Sequence, residues 1–194
     1  VEKKAHPKTD VADQVAYWLG FAHAAAGDTT NARRAFQDFL QDFPQSPLAA
    51  QAAYRIGLTF GLPNPAGRGW LDLGVKAHRD FIAKFPNDPL AHQAAFEIAY
   101  SYFNSRLLDD AIREFASFIT TWQTEQRASE VPLARNLLGT CFRLQKNFDD
   151  ATRVWQEFLT AHPTHKDWSA VQRQVLDLEY EVGVDQYAAK KYAD

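Results

Sequence analysis

The feature that most restricts the fold of this chain is a pattern of small and aromatic residues that recurs at constant spacing. Gly20 begins one copy, and an alanine, an aromatic residue and a proline follow it after 12, 16 and 24 residues. Gly139 begins another copy with the same three offsets. The matching residues are Ala32, Phe36 and Pro44 in the first copy, and Ala151, Trp155 and Pro163 in the other. Such repetition predicts a stack of similar structural units.

Two further copies lie between these. One runs from Gly57 to Pro86 with five extra residues, which we assign to a loop at 61–69 rich in glycine and proline. The other has Ala99 in the place of the glycine and Gln123 in the place of the proline. Four copies in one order make the pattern specific.

The residues around the repeated positions predict helices. Ser46 and Asp88 each stand before a proline, which is typical of a capped first helical turn, and Gly27-Asp28 supplies a break and a cap. Alternating β-branched runs are missing, so we expect no sheet. Apolar residues of the first copy follow helical spacing at Ala32, Ala35, Phe36, Phe39, Leu40 and Phe43. Glycines at the repeated place would let neighbouring helices approach closely.

These offsets resemble the tetratricopeptide repeat family over almost all of residues 13–163. The resemblance implies an all-α, right-handed α-solenoid of antiparallel helix pairs. The copies are 37, 42 and 40 residues apart rather than the family's usual spacing of about 34. A tryptophan expected early in each first helix is replaced by Ala16, Ala53, Ala95 and Arg135. We expect a loose segment at 1–10 and one array over 11–194, with pairs near 11–45, 46–86, 88–123 and 130–163 and a partial fifth at 167–194.

Two short segments, 39–44 and 81–86, resemble repeats of bacterial cell-envelope proteins. The similarity is to outer-membrane assembly lipoproteins, to periplasmic partners of the Tol-Pal system and to repeat regions of large exported bacterial proteins. It implies a periplasmic or exported location. Because 190–194 aligns with the turn at 146–150, we also expect a segment of a longer protein, whose other domains could be partners.

In this family the first helix of each pair lines a concave groove in which partners bind. Distances from each motif glycine carry that groove to this chain, where a glutamine and, three residues later, an aromatic recur in three copies. The predicted groove consists of Gln14, Tyr17, Phe21, Gln51, Tyr54, Leu58, Gln93, Phe96, Tyr100, Phe103, Asn104, Asn136, Thr140 and Arg143. Such a surface suits a peptide. Alternatively, the aromatics pack between neighbouring pairs. The groove lacks the positive charges with which some family members clamp acidic chaperone tails.

We therefore predict a non-catalytic scaffold that binds a protein or peptide partner and needs no cofactor. The alternative is a small molecule or glycan bound in the groove. A net charge of −3, from 21 basic and 24 acidic residues, argues against nucleic-acid binding. No run of about 18 apolar residues predicts a membrane span.

Candidate chemical groups have plainer interpretations. His162, His165 and Asp167 could hold zinc, but a polar turn between helices explains them as well. Cys141 is expected to be a packed small residue rather than a nucleophile, and His78, in the place of Phe36, a packed histidine. The paired aspartates at 109–110 and 149–150 recur at one place of the repeat, which predicts charges at helix starts.

Overall fold

The computed structural model describes residues 11–122 and 128–190. Within these ranges the chain forms nine α-helices and no β-strand, which confirms the all-α helical repeat prediction. The helices are α1 (Ala12–Ala25), α2 (Thr29–Asp42), α3 (Ala49–Leu58), α4 (Arg68–Lys84), α5 (Leu90–Asn104), α6 (Leu108–Trp122), α7 (Val131–Leu144), α8 (Phe148–Ala161) and α9 (Trp168–Lys190). Odd-numbered helices are the first helices of the predicted pairs. The predicted segment 1–10, Gln123 and the end at 191–194 lie outside the described ranges.

The helices form two compact units, Val1–Ser105 and Arg106–Asp194. Unit 1 contains α1 to α5, and unit 2 contains α6 to α9. The division falls between the two helices of the third predicted pair. A single right-handed array over 11–194 stays a prediction.

Two of the second helices, α2 and α8, begin at side-chain caps, and the sequence predicted the one at Asp28. Asp28 accepts a hydrogen bond from the backbone N–H of Asn31 at 3.1 Å and so caps α2. Asn147 caps α8 in the same way through the N–H of Asp150, at 3.4 Å. These contacts satisfy backbone donors that the first turn of a helix leaves without a partner. The paired aspartates do lie in the first turns of α6 and α8.

The repeated glycines allow a first helix to touch the aromatic ring of its second helix. A Cβ atom on Gly20 would lie 2.7 Å from Cε1 of Phe36, which is closer than real side chains approach. Equivalent atoms on Gly57 and Gly139 would collide with His78 and with Trp155. The predicted reason for glycine at these places is therefore confirmed.

Each unit has an aromatic core between its helices. In unit 1, Phe36 and Phe39 of α2 pack with Tyr17 of α1 and with Ala49 and Ala52 of α3. In unit 2, the core cluster contains Ala151, Trp155 and Phe158 of α8 with Val171, Val175 and Leu178 of α9. Helix α2 therefore packs on both α1 and α3, and helix α8 packs on both α7 and α9.

The predicted insertion forms the connection between α3 and α4, at 59–67, whereas residues 68–69 of the predicted loop belong to α4. Leu62 is buried, and a Cβ atom on Gly74 of α4 would lie 2.8 Å from its Cγ, so the loop packs directly on that helix. Arg33 of α2 donates to Oγ1 of Thr59 at 3.0 Å and lies 4.0 Å from the ring centroid of Phe60. The connection is thus held against α2 and against α4.

The last described helix departs from the repeat. Val171 follows Pro163 by eight residues, as Ala52 follows Pro44, and both are fully buried. We call the place of the repeated glycine in each first helix the motif position. This spacing places Leu176, rather than a glycine, at the motif position of α9. The helix continues to Lys190, and residues 191–194 of the predicted alignment with the turn at 146–150 lie outside the described residues. Through 11–122 and 128–190, every helix is too short or too polar to cross a bilayer.

Candidate partner-binding face

The recurring aromatic of the predicted groove is part of the core. Tyr17, Tyr54 and Phe96 are 2%, 6% and 8% exposed. The alternative interpretation, in which these rings pack between neighbouring helices, describes all three. They therefore offer little contact area to a partner.

The two tyrosines also connect successive first helices by hydrogen bonds. Arg55 of α3 donates from Nε to the hydroxyl oxygen of Tyr17 on α1, at 2.7 Å. Tyr54 of α3 donates from its hydroxyl to Oε1 of Glu97 on α5, also at 2.7 Å. Arg55 and Glu97 both lie two residues before the motif position. Each hydrogen bond therefore connects the tyrosine of one copy to this position of the next copy. Phe96 and Leu137, at these places in the next copies, are both apolar.

Glu97 forms the centre of a small polar cluster with Tyr54, His78 and Gln93. Its Oε2 lies 2.8 Å from Nε2 of His78, and Gln93 donates from Nε2 to its Oε1 at 3.1 Å. His78 is fully buried and stacks on Tyr54, with ring centroids 5.2 Å apart, which confirms a packed histidine. Burial, with the bonded Glu97 carboxylate, raises the pKa of the Tyr54 hydroxyl. The tyrosine therefore stays protonated and acts as a hydrogen-bond donor.

The residue after each motif position remains partly accessible. In unit 1 these residues are Phe21, Leu58 and Tyr100, and each is half-buried. Arg55 covers part of Phe21, with its guanidinium carbon 4.7 Å from the ring centroid. Gln14 and Gln51 are exposed, and Gln93 is half-buried. We call this surface the first-helix face; it consists of Gln14, Phe21, Gln51, Arg55, Leu58, Gln93, Tyr100 and Phe103.

Aromatic stacking extends this face along α5. The rings of Phe96 and Tyr100 are 5.7 Å apart, and those of Tyr100 and Phe103 are 6.1 Å apart with an interplanar angle of 12°. Asn104 is engaged by the insertion loop, because its Nδ2 donates to the carbonyl oxygen of Pro63 and to Oδ1 of Asn64, each at 2.9 Å. The loop therefore forms one border of the face.

The groove residues predicted in unit 2 lie on α7 and are half-buried. The carbonyl oxygen of Asn136 accepts from Oγ1 of Thr140 at 3.0 Å and from Nε1 of Trp155 at 3.2 Å. Arg143 pairs with Glu181 of α9 at 3.2 Å. The contacts of Trp155 and Glu181 connect α7 to α8 and α9 within unit 2.

Arg55 and Glu97 were missing from the predicted site. Like Trp18, they lie two residues before the motif position. Because these three side chains differ so much, the sequence showed no recurring residue type at that place. A usable signal existed in the pairing of each tyrosine with a polar residue at that position of the next copy.

The other candidate groups are structural. Cys141 is fully buried, and burial raises the pKa of its thiol to about 12, so packing accounts for it. His165 accepts at Nδ1 from the N–H of Asp167 at 3.1 Å, while His162 packs on Phe158. Among the described residues, no three histidine, cysteine or acidic side chains are grouped to hold a metal.

Unit 2 also has an open cleft of about 750 Å³ between α6, α7 and α8. Arg135 lies in it and pairs with Glu157 at 3.1 Å. Leu138, Ile119 and Val154 supply apolar lining. The lining includes none of the predicted groove residues.

Comparison with known proteins agrees with this geometry. The model of the tetratricopeptide repeat family matches residues 14–46 and 137–165. In these two segments the chain is similar to tetratricopeptide repeats. The segments correspond to α1–α2 and to most of α7–α8. No curated protein matches the chain by sequence.

Solved structures with the same fold cover nearly the whole chain. A kinesin light chain from Podosopora anserina, described as having nearly identical TPR-like repeats, has 10% identity and a TM-score of 0.60, over 95% of this chain and 93% of that one. MamA AMB-1 has 16% identity and a TM-score of 0.57, over 90% and 85%. MamA from Desulfovibrio magneticus RS-1 has 12% identity and a TM-score of 0.55, over 87% and 96%. At such identities the likeness concerns the fold alone.

Proposed function

We propose that this chain is a non-catalytic scaffold that binds a protein partner through the first-helix face of unit 1. The main observation is that the residue directly after the motif position is half-buried and carries a large apolar or aromatic side chain on three successive first helices. These residues are Phe21, Leu58 and Tyr100. Phe103 adds to the same surface on α5. Apolar side chains at repeated intervals fit a peptide or helix that runs across several helices.

The packing beneath this face supports the proposal. Tyr17, Tyr54 and Phe96 are locked in the core, and Arg55 and Glu97 connect α1, α3 and α5 by hydrogen bonds. A surface held in this way is preorganised, so little conformational entropy is lost when a partner binds. Partly exposed aromatics supply contact area, while Gln14 and Gln51 provide amide groups for a partner's backbone.

The resemblance to bacterial cell-envelope repeat proteins supports a periplasmic or exported location and a role within a larger protein. Arg143, Asn136 and Thr140 belong to the proposal only as a secondary surface, because their contacts lie within unit 2.

The experiment compares partner capture by three forms of the full chain from cells of the source organism, with cross-linking before lysis. Alanine at Phe21, Tyr100 and Phe103 removes contact area from the face. Alanine at Leu73, an exposed apolar residue on α4, is the matched control. We expect the triple variant to capture at least tenfold less of the partner protein than the wild type while it retains wild-type helicity. The control should capture as much as the wild type. Equal capture by all three forms would place the interface elsewhere.

A further inference from the structure

A second apolar surface lies on the first helix, away from the first-helix face. Val15 is 65% exposed and Leu19 is 55% exposed, and Val11 and Ala22 are exposed beside them. These four residues follow the spacing i, i+4, i+8 and i+11, which places them in one line along α1. We call them the α1 stripe. Trp18, 57% exposed, lies next to it.

The same positions are core positions in every later first helix. Val15 corresponds to Ala52, Ala94 and Ala134 by distance from the motif position, and all three are fully buried. Leu19 corresponds to Ile56, Ile98 and Leu138, and Ala22 corresponds to Thr59, Ser101 and Cys141. Five of these six residues are buried, and Ile56 is half-buried. The α1 stripe is therefore a surface that the repeat normally covers.

A preceding second helix covers the equivalent surface within each unit. In unit 1, Ala52 of α3 is in one cluster with Phe36 and Phe39 of α2. In unit 2, Val171 of α9 has the same relation to Phe158 of α8. The covering helix thus brings a pair of aromatics, three residues apart, onto a small aliphatic stripe.

We propose that the α1 stripe binds an amphipathic helix of a partner protein, with aromatic residues three apart on its apolar face, in the position of a preceding second helix. Continuity with the internal packing argues for this occupant, since α1 presents the stripe that α3 presents to α2. The described second helices of another folded copy do not offer such a pair, because Phe36 and Phe39, Phe115 and Phe118, and Trp155 and Phe158 are already buried in their own units. The surface is distinct from the first-helix face, so either proposal can fail alone.

The chain itself supplies the probe for this helix. A synthetic peptide of residues 28–45 contains the cap and the apolar face of α2. A lactam bridge between positions 37 and 41, both exposed in the folded chain, holds the peptide helical. A second bridged peptide, with serine at Phe36 and Phe39, lacks the aromatic pair.

Binding to the 194-residue chain is measured by fluorescence anisotropy of the labelled peptide. We expect saturable binding that weakens at least tenfold when Val15 and Leu19 are both changed to Asp, and that is absent for the serine peptide. Asp at Leu73, exposed on α4, is the matched control and should bind as the wild type does. Both variants change only exposed positions, and circular dichroism checks that they fold.

Three results would overturn the proposal. The first is no saturable binding of the bridged peptide. The second is binding that the change of Val15 and Leu19 leaves intact, which would mean that the peptide displaces the protein's own α2. The third is concentration-dependent self-association in sedimentation experiments that the same change abolishes, which would assign the α1 stripe to a second copy.

Discussion

At the scale of single residues, the repeated glycines and their aromatic partners explain the packing of each helix pair. Gly139 leaves room for the indole of Trp155, whose Nε1 donates to the carbonyl oxygen of Asn136. Gly20 does the same for Phe36. The sequence predicted that these glycines let a neighbouring helix approach closely, but it did not predict that the aromatic of the same copy fills the space. It did not predict which aromatics remain accessible.

Changing Gly139 to Ala should therefore destabilise unit 2. The new Cβ would collide with Trp155, and overpacking of a close-packed core typically costs about 1–3 kcal/mol. Gly183 on α9 has open space around its Cα, so Ala there should stabilise the protein by up to about 1 kcal/mol. Urea denaturation of the two variants measures both values. Equal free energies of unfolding for the variants would contradict the close contact.

Cys141 should resist thiol reagents in the folded protein. It is fully buried, and a thiol whose pKa is raised to about 12 is almost entirely protonated at pH 8. Labelling by 5,5′-dithiobis(2-nitrobenzoate) should need unfolding, so its rate should follow the denaturant concentration. Rapid labelling in native buffer would mean that α7 exposes the thiol.

At the scale of helices, the hydrogen bonds made by Tyr17 and Tyr54 connect the first helices of unit 1. The resemblance to tetratricopeptide repeats implied that Tyr17, Phe21, Tyr54 and Leu58 lie near the same face, but it did not give the rotation of each helix. That rotation turns Tyr17 and Tyr54 inward and leaves Phe21 and Leu58 half-buried. Apolar residues at both places look alike in sequence, so the boundary between core and surface could not be read from residue types.

Changing Tyr54 to Phe should weaken the contact between α3 and α5. The variant keeps the ring that stacks on His78 but removes the hydroxyl that donates to Glu97. Hydrogen bonds to charged groups contribute about 1.5–3 kcal/mol, so we expect a loss of that order in the free energy of unfolding.

Phe in place of the half-buried Tyr100 is the control, with an expected change within about 0.5 kcal/mol. Thermal and urea denaturation compare the two variants. If both lose the same stability, the bond between Tyr54 and Glu97 does not hold α3 to α5.

At the scale of the whole molecule, the repeat predicted the all-α fold, the helix pairs and the position of the insertion. Two features could be seen only in the structure. The loop at 59–67 is held by Asn104, which is 40 residues away from Asn64 along the chain, and no local pattern reports such a contact. In α9, Leu176 stands at the motif position, so the last copy could be aligned only once its packing on α8 was known.

The central proposal is that the first-helix face of unit 1 binds a protein partner. Its most direct test places the photoreactive amino acid p-benzoylphenylalanine at Phe21, Tyr100 or Leu73 of the full chain in cells of the source organism. After irradiation, cross-linked products are identified by mass spectrometry. We predict that Phe21 and Tyr100 give the same cross-linked protein and that Leu73 on α4 does not. Cross-links to a shared partner from Leu73, with none from Phe21 and Tyr100, would contradict the proposal.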